Sequence, residues 1–248
     1  DWESASRLFV RHIPEFLEKG QMTTVIKWLD QFPQDELFKN PKLCIQVAEM
    51  YSQAGMIDQI DPLLDKAEES VSLKQSRGES QDGQTENNLS AEEITVIRSM
   101  APILRGLKAV CSGQPQLAMD ITQTALHSIP EMDSKELAVL FWVQGWAQRS
   151  LGNLDLALEL LTKGTEYANQ SGATLRDIWT DLGNVTRLVG KLPQAINILE
   201  NSLQAIIDKD IQNQGNLSRD ESFLSFLYYE RNQLDQALMY AKRALAHT

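Results

Sequence analysis

One phrase recurs six times along this chain, and it constrains the fold more than any other feature. It runs: a glycine, an apolar residue two later, a small or apolar residue five later, another near nine, and a small residue near twelve. After Gly55 the later positions are Ile57, Ile60, Leu64 and Ala67. After Gly113 they are Ala118, Thr122 and Ala125. After Gly152 they are Leu154, Ala157, Leu161 and Gly164, and after Gly190 they are Leu192, Ala195, Leu199 and Ser202. Asn232 replaces glycine before Leu234, Ala237, Ala241 and Ala244, and Gly20 opens a looser copy with Met22, Val25, Leu29 and Phe32. Apolar residues three and four apart line one face of a helix. A glycine just ahead of them is read as the left-handed residue that ends the preceding helix. Each copy therefore predicts a helical hairpin.

The anchors at 20, 55, 113, 152, 190 and 232 are 35, 58, 39, 38 and 42 residues apart. These spacings sit near the period of about 34 residues of the tetratricopeptide (TPR) repeat. A second small residue lies seven before five of the anchors: Ala48, Gly106, Gly145, Gly183 and Ser225. A small side chain there lets the two helices of a hairpin approach closely. The fold expected is all-α, a TPR-like right-handed superhelix of about six helical hairpins, forming one repeat domain over residues 1–248. The long spacing holds a polar stretch at 72–90, expected as a disordered insertion because it has too little apolar surface to offset ordering entropy. Asn40 ahead of Pro41, Ser90 three before Glu93, Asp133 or Ser134, and Thr174 read as helix caps. Pro14 and Pro102 fall inside predicted first helices and should kink or interrupt them.

Composition narrows the function. The formal charge is −11, which disfavours direct contact of this stretch with nucleic acid or an anionic membrane surface. No apolar run reaches the length of a membrane span. The two cysteines, Cys44 and Cys111, outline neither a disulfide framework nor a metal site, as expected in the cytoplasm. No phosphate-binding glycine loop, dinucleotide fingerprint, zinc signature or nucleophile elbow occurs. His12, His127 and His247 lie far apart. No catalytic residue and no metal ligand is therefore expected, and an enzyme is the least favoured class. Asp58, Asp61, Asp65, Glu68 and Glu69 read as a solvated helix face.

In a TPR-like array the first helix of each hairpin lines the groove. Its groove positions lie six and three before the small residue, and one, four and five after it. Around Gly145 these are Val139, Trp142, Trp146, Arg149 and Ser150. Around Gly183 they are Asp177, Thr180, Asn184, Arg187 and Leu188, and around Ser225 they are Arg219, Ser222, Phe226, Tyr229 and Glu230. Asp177, Thr180, Asn184 and Arg187 form a polar stripe on one helix face, flanked by aromatics. Flat apolar faces beside fixed polar groups suit a ligand site. The candidate ligand-binding residues are therefore Trp142, Trp146, Arg149, Asp177, Thr180, Asn184, Arg187, Ser222, Phe226 and Tyr229. The equivalent earlier face, with Met100, Ile103, Leu107 and Val110, is apolar. It is expected to pack under the insertion or against a further domain.

The first seventy residues carry a more specific pattern. It comprises Asp1-Trp2, Ala5 and Leu8, Gly20, Trp28-Leu29-Asp30-Gln31-Phe32-Pro33, Asn40-Pro41-Lys42-Leu43, Ala48, Gly55, and Leu64 with Ala67-Glu68. It resembles the helical region of the large ATP-dependent LuxR-type, MalT-type transcriptional regulators. The resemblance implies a fragment of a larger bacterial protein, in which this part is the helical-repeat sensor. A nucleotide-binding oligomerisation module would precede it and a helix-turn-helix would follow. It implies a small-molecule inducer, self-association, and contacts with other domains of the same regulator. ATP would belong to the preceding module, so no cofactor is expected in this stretch. A TPR scaffold or peptide-binding module with a protein partner remains the alternative.

Overall fold

The computed structural model describes residues 1–18, 21–77, 89–172, 175–208 and 214–247. Among these residues all regular structure is helical. The elements are α1 (Trp2–Glu18), α2 (Met22–Leu29), α3 (Gln34–Phe38), α4 (Pro41–Gln53), a 3-10 turn (Ile57–Gln59), α5 (Asp61–Arg77), α6 (Ala91–Cys111) and α7 (Pro115–Ser128). They continue with α8 (Ser134–Ser150), α9 (Leu154–Ser171), α10 (Arg176–Leu188), α11 (Leu192–Asp208), α12 (Gln214–Glu230) and α13 (Leu234–Ala246). The fold is all-α and TPR-like, as the repeats predict.

The hairpin corners explain why the phrase recurs. Gly55, Gly113, Gly152 and Gly190 have φ between 72° and 83°, and Asn232 has φ 59°. At each corner the following N–H returns to the carbonyl five residues back: Met56 to Tyr51, Gln114 to Ala109, Asn153 to Gln148, Lys191 to Thr186 and Gln233 to Tyr228, at 2.8–3.0 Å. The anchor's own N–H bonds the carbonyl three residues before it. This is one Schellman motif used five times, and it satisfies carbonyls that a helix end leaves open. Gly20 lies outside the described residues.

The small positions act as predicted. A Cβ at Gly145 would stand 2.6 Å from Leu161 Cγ, and one at Gly183 would stand 3.0 Å from Leu199 Cγ. At the same place on α12, the Ser225 hydroxyl donates to Ala237 O on α13 (2.8 Å).

Contacts divide the chain into two compact units. The first takes in Asp1–Leu17 and Gln21–Glu136, and the second Leu137–Thr248 with Glu18–Gly20. In the first unit, Phe9 of α1 packs edge-on against Trp28 and Phe32, Phe16 meets Trp28, and Trp2 meets Phe32. These contacts account for the Trp28–Pro33 pattern. Asn40 accepts from Leu43 N–H (3.1 Å) and caps α4. Ser90 and Glu93 form a full capping box on α6. Asp133 and Glu136 exchange the equivalent pair of bonds at the start of α8. In the second unit, Ala157, Leu161, Ile178, Leu182 and Val185 make one core cluster, and Leu199, Leu203, Leu224 and Leu227 belong to another.

Four expectations change. α1 and α6 run unbroken through Pro14 and Pro102. Ile13, Ala101 and Ile103 beside those prolines are buried, and that packing outweighs one missing helix bond. Of the stretch 72–90, residues 72–77 are the last turns of α5. They extend a helix already begun under the buried Val71, and extension is easier than nucleation. At its far end Leu89 is buried and its carbonyl accepts from Lys74 Nζ; residues 78–88, and the expected cap Thr174, lie outside the described residues. Met100, Ile103, Leu107 and Val110 are buried within the first unit, where α6 packs against α4, α5 and α7. Finally, Asp58, Asp65 and Glu69 are exposed, as a solvated face predicts, but part of that face also pairs with α6. Arg105 bridges Asp65 (2.5 Å) and Glu68 (2.6 Å), and Lys108 meets Asp61.

Candidate functional site

The candidate residues fall on α8, α10 and α12, the first helices of the last three hairpins, all within the second unit. α10 is the centre. Its apolar face goes into the core through Ile178, Leu182 and Val185. The 3.6-residue period then leaves Asp177, Thr180, Asn184 and Arg187 on the opposite side.

Towards α8, the organising group is Asp181. Trp142 Nε1 donates to its Oδ2 (2.7 Å) and Arg149 Nη1 to its Oδ1 (2.5 Å). Trp142 and Trp146 stand 5.9 Å apart, and the Arg149 guanidinium lies 5.8 Å from the Trp146 ring centre. Burial pushes the Asp181 carboxyl above its usual range; Arg149 and the Trp142 bond pull the other way without cancelling it.

Towards α12, Asp177 pairs with Arg219, and the Thr180 hydroxyl donates to Asp220 (3.2 Å). Arg187 donates to Glu230 (3.1 Å) and Asn184 (3.2 Å), and its guanidinium lies 5.4 Å from the Phe226 ring centre. Its Nε is buried and makes no hydrogen bond. Phe226 and Tyr229 are 44% and 67% exposed, so the aromatic surface beside this arginine is open to solvent.

The structure thus joins Trp142 and Arg149 through Asp181, with the Trp146 ring beside both. It joins Asn184 and Phe226 to Arg187, and ties Asp177 and Thr180 to α12. Ser222 stands apart, its hydroxyl bonding Ser218 O on its own helix (2.7 Å). Tyr229 contributes exposed surface. Sequence reasoning missed Asp181 and Asp220. Asp181 lies two before Gly183, between the groove positions. The signal for it was Trp142 and Arg149, a donor pair seven residues apart on the preceding first helix with no carboxylate of their own.

Hairpins with small contact positions, left-handed corners and a polar seam between successive first helices define a TPR-like helical-repeat protein, a non-catalytic fold family. Residues 100–248 match the MalT-like TPR region, and the chain belongs to that family. The HTH-type transcriptional regulator MalT of Vibrio campbellii is 23% identical over 211 residues, covering 83% of this chain and 22% of the relative. MalT of Vibrio parahaemolyticus is 22% identical over 201 residues, covering 80% and 20%. The chain therefore spans about a fifth of the length of these curated relatives. Among solved structures, the nearly identical TPR-like repeats of a Podosopora anserina protein align with TM-score 0.54 at 16% identity, over 85% of this chain and 95% of that one. The APC/C hetero-tetramer Cut9–Hcn1 aligns with TM-score 0.52 at 12% identity, over 97% and 46%. At these identities the likeness is one of fold.

Proposed function

We propose that this chain is the effector-sensing and protein-interaction region of a bacterial transcriptional regulator, and that the α8–α10–α12 face binds a small inducer. The observation that carries the reading is Arg187. It is oriented by Glu230 and Asn184 and stacked on an exposed Phe226, and it keeps one buried N–H without an acceptor. A buried donor without a partner is disfavoured unless something supplies the acceptor. A ligand with a flat face and an oxygen acceptor suits this corner: it stacks on Phe226 or Tyr229 and accepts from Arg187. Membership of the MalT-like TPR region and likeness to MalT regulators support the regulatory role.

The mechanism is linkage. Asp177, Thr180 and Arg187 tie α10 to α12, while Asp181 ties it to α8. A ligand that competes for one of these ties favours one hairpin-to-hairpin arrangement. It shifts the population by no more than its differential affinity. Within the second unit α10 is tied to the hairpins on either side, so the bias passes along these repeats, and self-association is its proposed output.

A thermal-shift screen with oligosaccharides, nucleotides, aromatic acids and short peptides tests the reading. A ligand at 100 times its dissociation constant adds about 2.7 kcal/mol, several degrees at this size. Asn184→Ala/Arg187→Ala should abolish the shift; a shift that survives it places the ligand elsewhere. A second reading, a partner protein in place of a small ligand, is favoured by α13, where Leu234 and Leu238, one turn apart, are 56% and 55% exposed. A screen without hits, together with a loss of self-association in Leu234→Lys/Leu238→Lys, would select it.

A further inference from the structure

The first unit holds a cavity of about 170 Å³ among α4, α6 and the start of α8. That is the size of a space that holds one benzene-sized molecule. One wall is apolar: Ile45, Val96, Ile97 and Met100. The other is polar and strongly biased in charge, with Lys42 and Lys135 facing five carboxylates.

Most of those carboxylates are committed. Glu93 accepts from Ser90 N–H (2.9 Å) in the α6 cap, with Lys42 at 3.7 Å. Glu136 accepts from the Ser99 hydroxyl (2.6 Å) and Asp133 N–H (3.0 Å), while Asp133 accepts from Glu136 N–H (2.8 Å). Glu49 is different: it has Lys135 at 3.7 Å, beyond good hydrogen-bonding distance. Gln46 donates its Nε2 to Val10 O (3.1 Å), which leaves its Oε1 buried and without a donor. One turn apart on α4, Gln46 and Glu49 are two acceptors facing a cavity whose opposite wall is apolar.

We propose that this cavity binds a small amphipathic amine, its ammonium held by Gln46 Oε1 and Glu49 and its apolar body lying on Val96, Ile97 and Met100. An anion meets the carboxylate excess. A neutral hydroxyl satisfies Gln46 but leaves Glu49 as it is. Burial holds the Glu49 carboxyl above its usual range, with Lys135 offsetting only part of the effect, as expected of a site short of one positive charge. The site does not rest on the α8–α10–α12 reading, since it uses no residue of the second unit.

The test titrates the nitrogen-15-labelled chain with 2-phenylethylamine and follows the amide spectrum, with 2-phenylethanol and 3-phenylpropionate as neutral and anionic counterparts. Saturable shifts should centre on residues 42–49, 93–100 and 133–136, for the amine more strongly than for the alcohol and not for the acid. Glu49→Gln should weaken the amine about tenfold or more, the loss expected for one charge-assisted hydrogen bond. Gln46→Leu should weaken it severalfold, and Val96→Phe should fill the cavity and abolish binding. Arg187→Ala should leave the affinity unchanged, which separates this site from the proposed inducer face. A well-dispersed spectrum for each variant controls for folding. The proposal is overturned by an alcohol or acid that binds as tightly as the amine, by shifts centred elsewhere, or by amine affinity that survives both α4 variants. Absence of saturable shifts with 2-phenylethylamine and with hexylamine overturns it equally.

Discussion

α6 and α10 do the same job in their hairpins and do it with opposite chemistry. Each is a first helix, each ends in a left-handed glycine, and each carries a small residue seven before it, Gly106 and Gly183. On α6 the residues on the groove side are Met100, Ile103, Leu107 and Val110, all buried. On α10 the corresponding stripe is Asp177, Thr180, Asn184 and Arg187, tied to its neighbours by ion pairs and hydrogen bonds. The hairpin is therefore specified separately from the seam between hairpins. Corners and small positions make the unit; the seam is free to be oily or polar. An oily seam is held by burial and has one good packing. A polar seam has partners that can be exchanged, which is the property a sensor needs.

The largest effect should come from the oily seam. Ile103 is fully buried, so Ile103→Ala should lose about 2–5 kcal/mol in urea unfolding, by lost transfer energy and the cavity left behind. The loss should hardly change between low and high salt. Asn184→Ala, in the polar stripe, should lose about 1 kcal/mol through one hydrogen bond to Arg187. Equal losses at the two sites would break the distinction.

The next effect sharpens the comparison through pH. Burial raises the Asp181 carboxyl, so the folded state holds that proton more tightly than the unfolded chain does. The associated stability is complete below the ordinary carboxylate range and is lost as pH rises through the raised value. Asp181→Asn removes this contribution. The gap in Tm between wild type and Asp181→Asn should therefore be widest at acid pH and narrow towards neutrality. Glu49 and Glu136 are raised as well, so the difference between the two proteins, and not either curve alone, is the quantity to follow. A gap that widens with rising pH would mean that attraction to Arg149 dominates over burial.

What was legible in the sequence follows the same division. The corners were readable because five anchors repeat one backbone requirement, a positive φ, that few residues meet. The hairpin contacts were readable because Gly145 and Gly183 leave space for Leu161 and Leu199, and a missing side chain is visible in one dimension. The family resemblance is legible in a pattern of the first seventy residues, whereas the match to the MalT-like TPR region falls on residues 100–248, where only the generic repeat phrase is legible. The seams were less so. Periodicity put Asp177 and Arg187 on one face but could not show that Arg219 and Glu230, some 42 residues on, would claim them. It placed Asp181 on no groove position, because a carboxylate reaching back to the preceding hairpin departs from the offsets of the simple repeat. Likewise the acidic run on α5 reads as solvated, and much of it is, but its pairing with Arg105 and Lys108 does not show, since they lie far away in sequence and only folding brings them across. The proline helices differ for another reason: local propensity spoke against them, and the burial of their neighbours decided.

The smallest effect tests whether the corners are as interchangeable as the seams are not. Asn232 is the one non-glycine residue in the left-handed region among the described residues, with φ 59°. Asparagine tolerates this region better than other side chains, yet glycine meets no steric penalty there. Against that, glycine gives the unfolded chain more freedom. The two terms nearly offset, so Asn232→Gly should change stability by no more than about 0.5 kcal/mol, and Gly113→Asn in the first unit should do the same in reverse. Replacing either corner by Ala should lose about 1 kcal/mol, because a Cβ without a compensating local hydrogen bond carries the left-handed penalty in full. If Asn232→Gly instead cost well over 1 kcal/mol, the asparagine side chain would be making a contact that the glycine corners do without, and the fifth corner would have to be set apart from the other four.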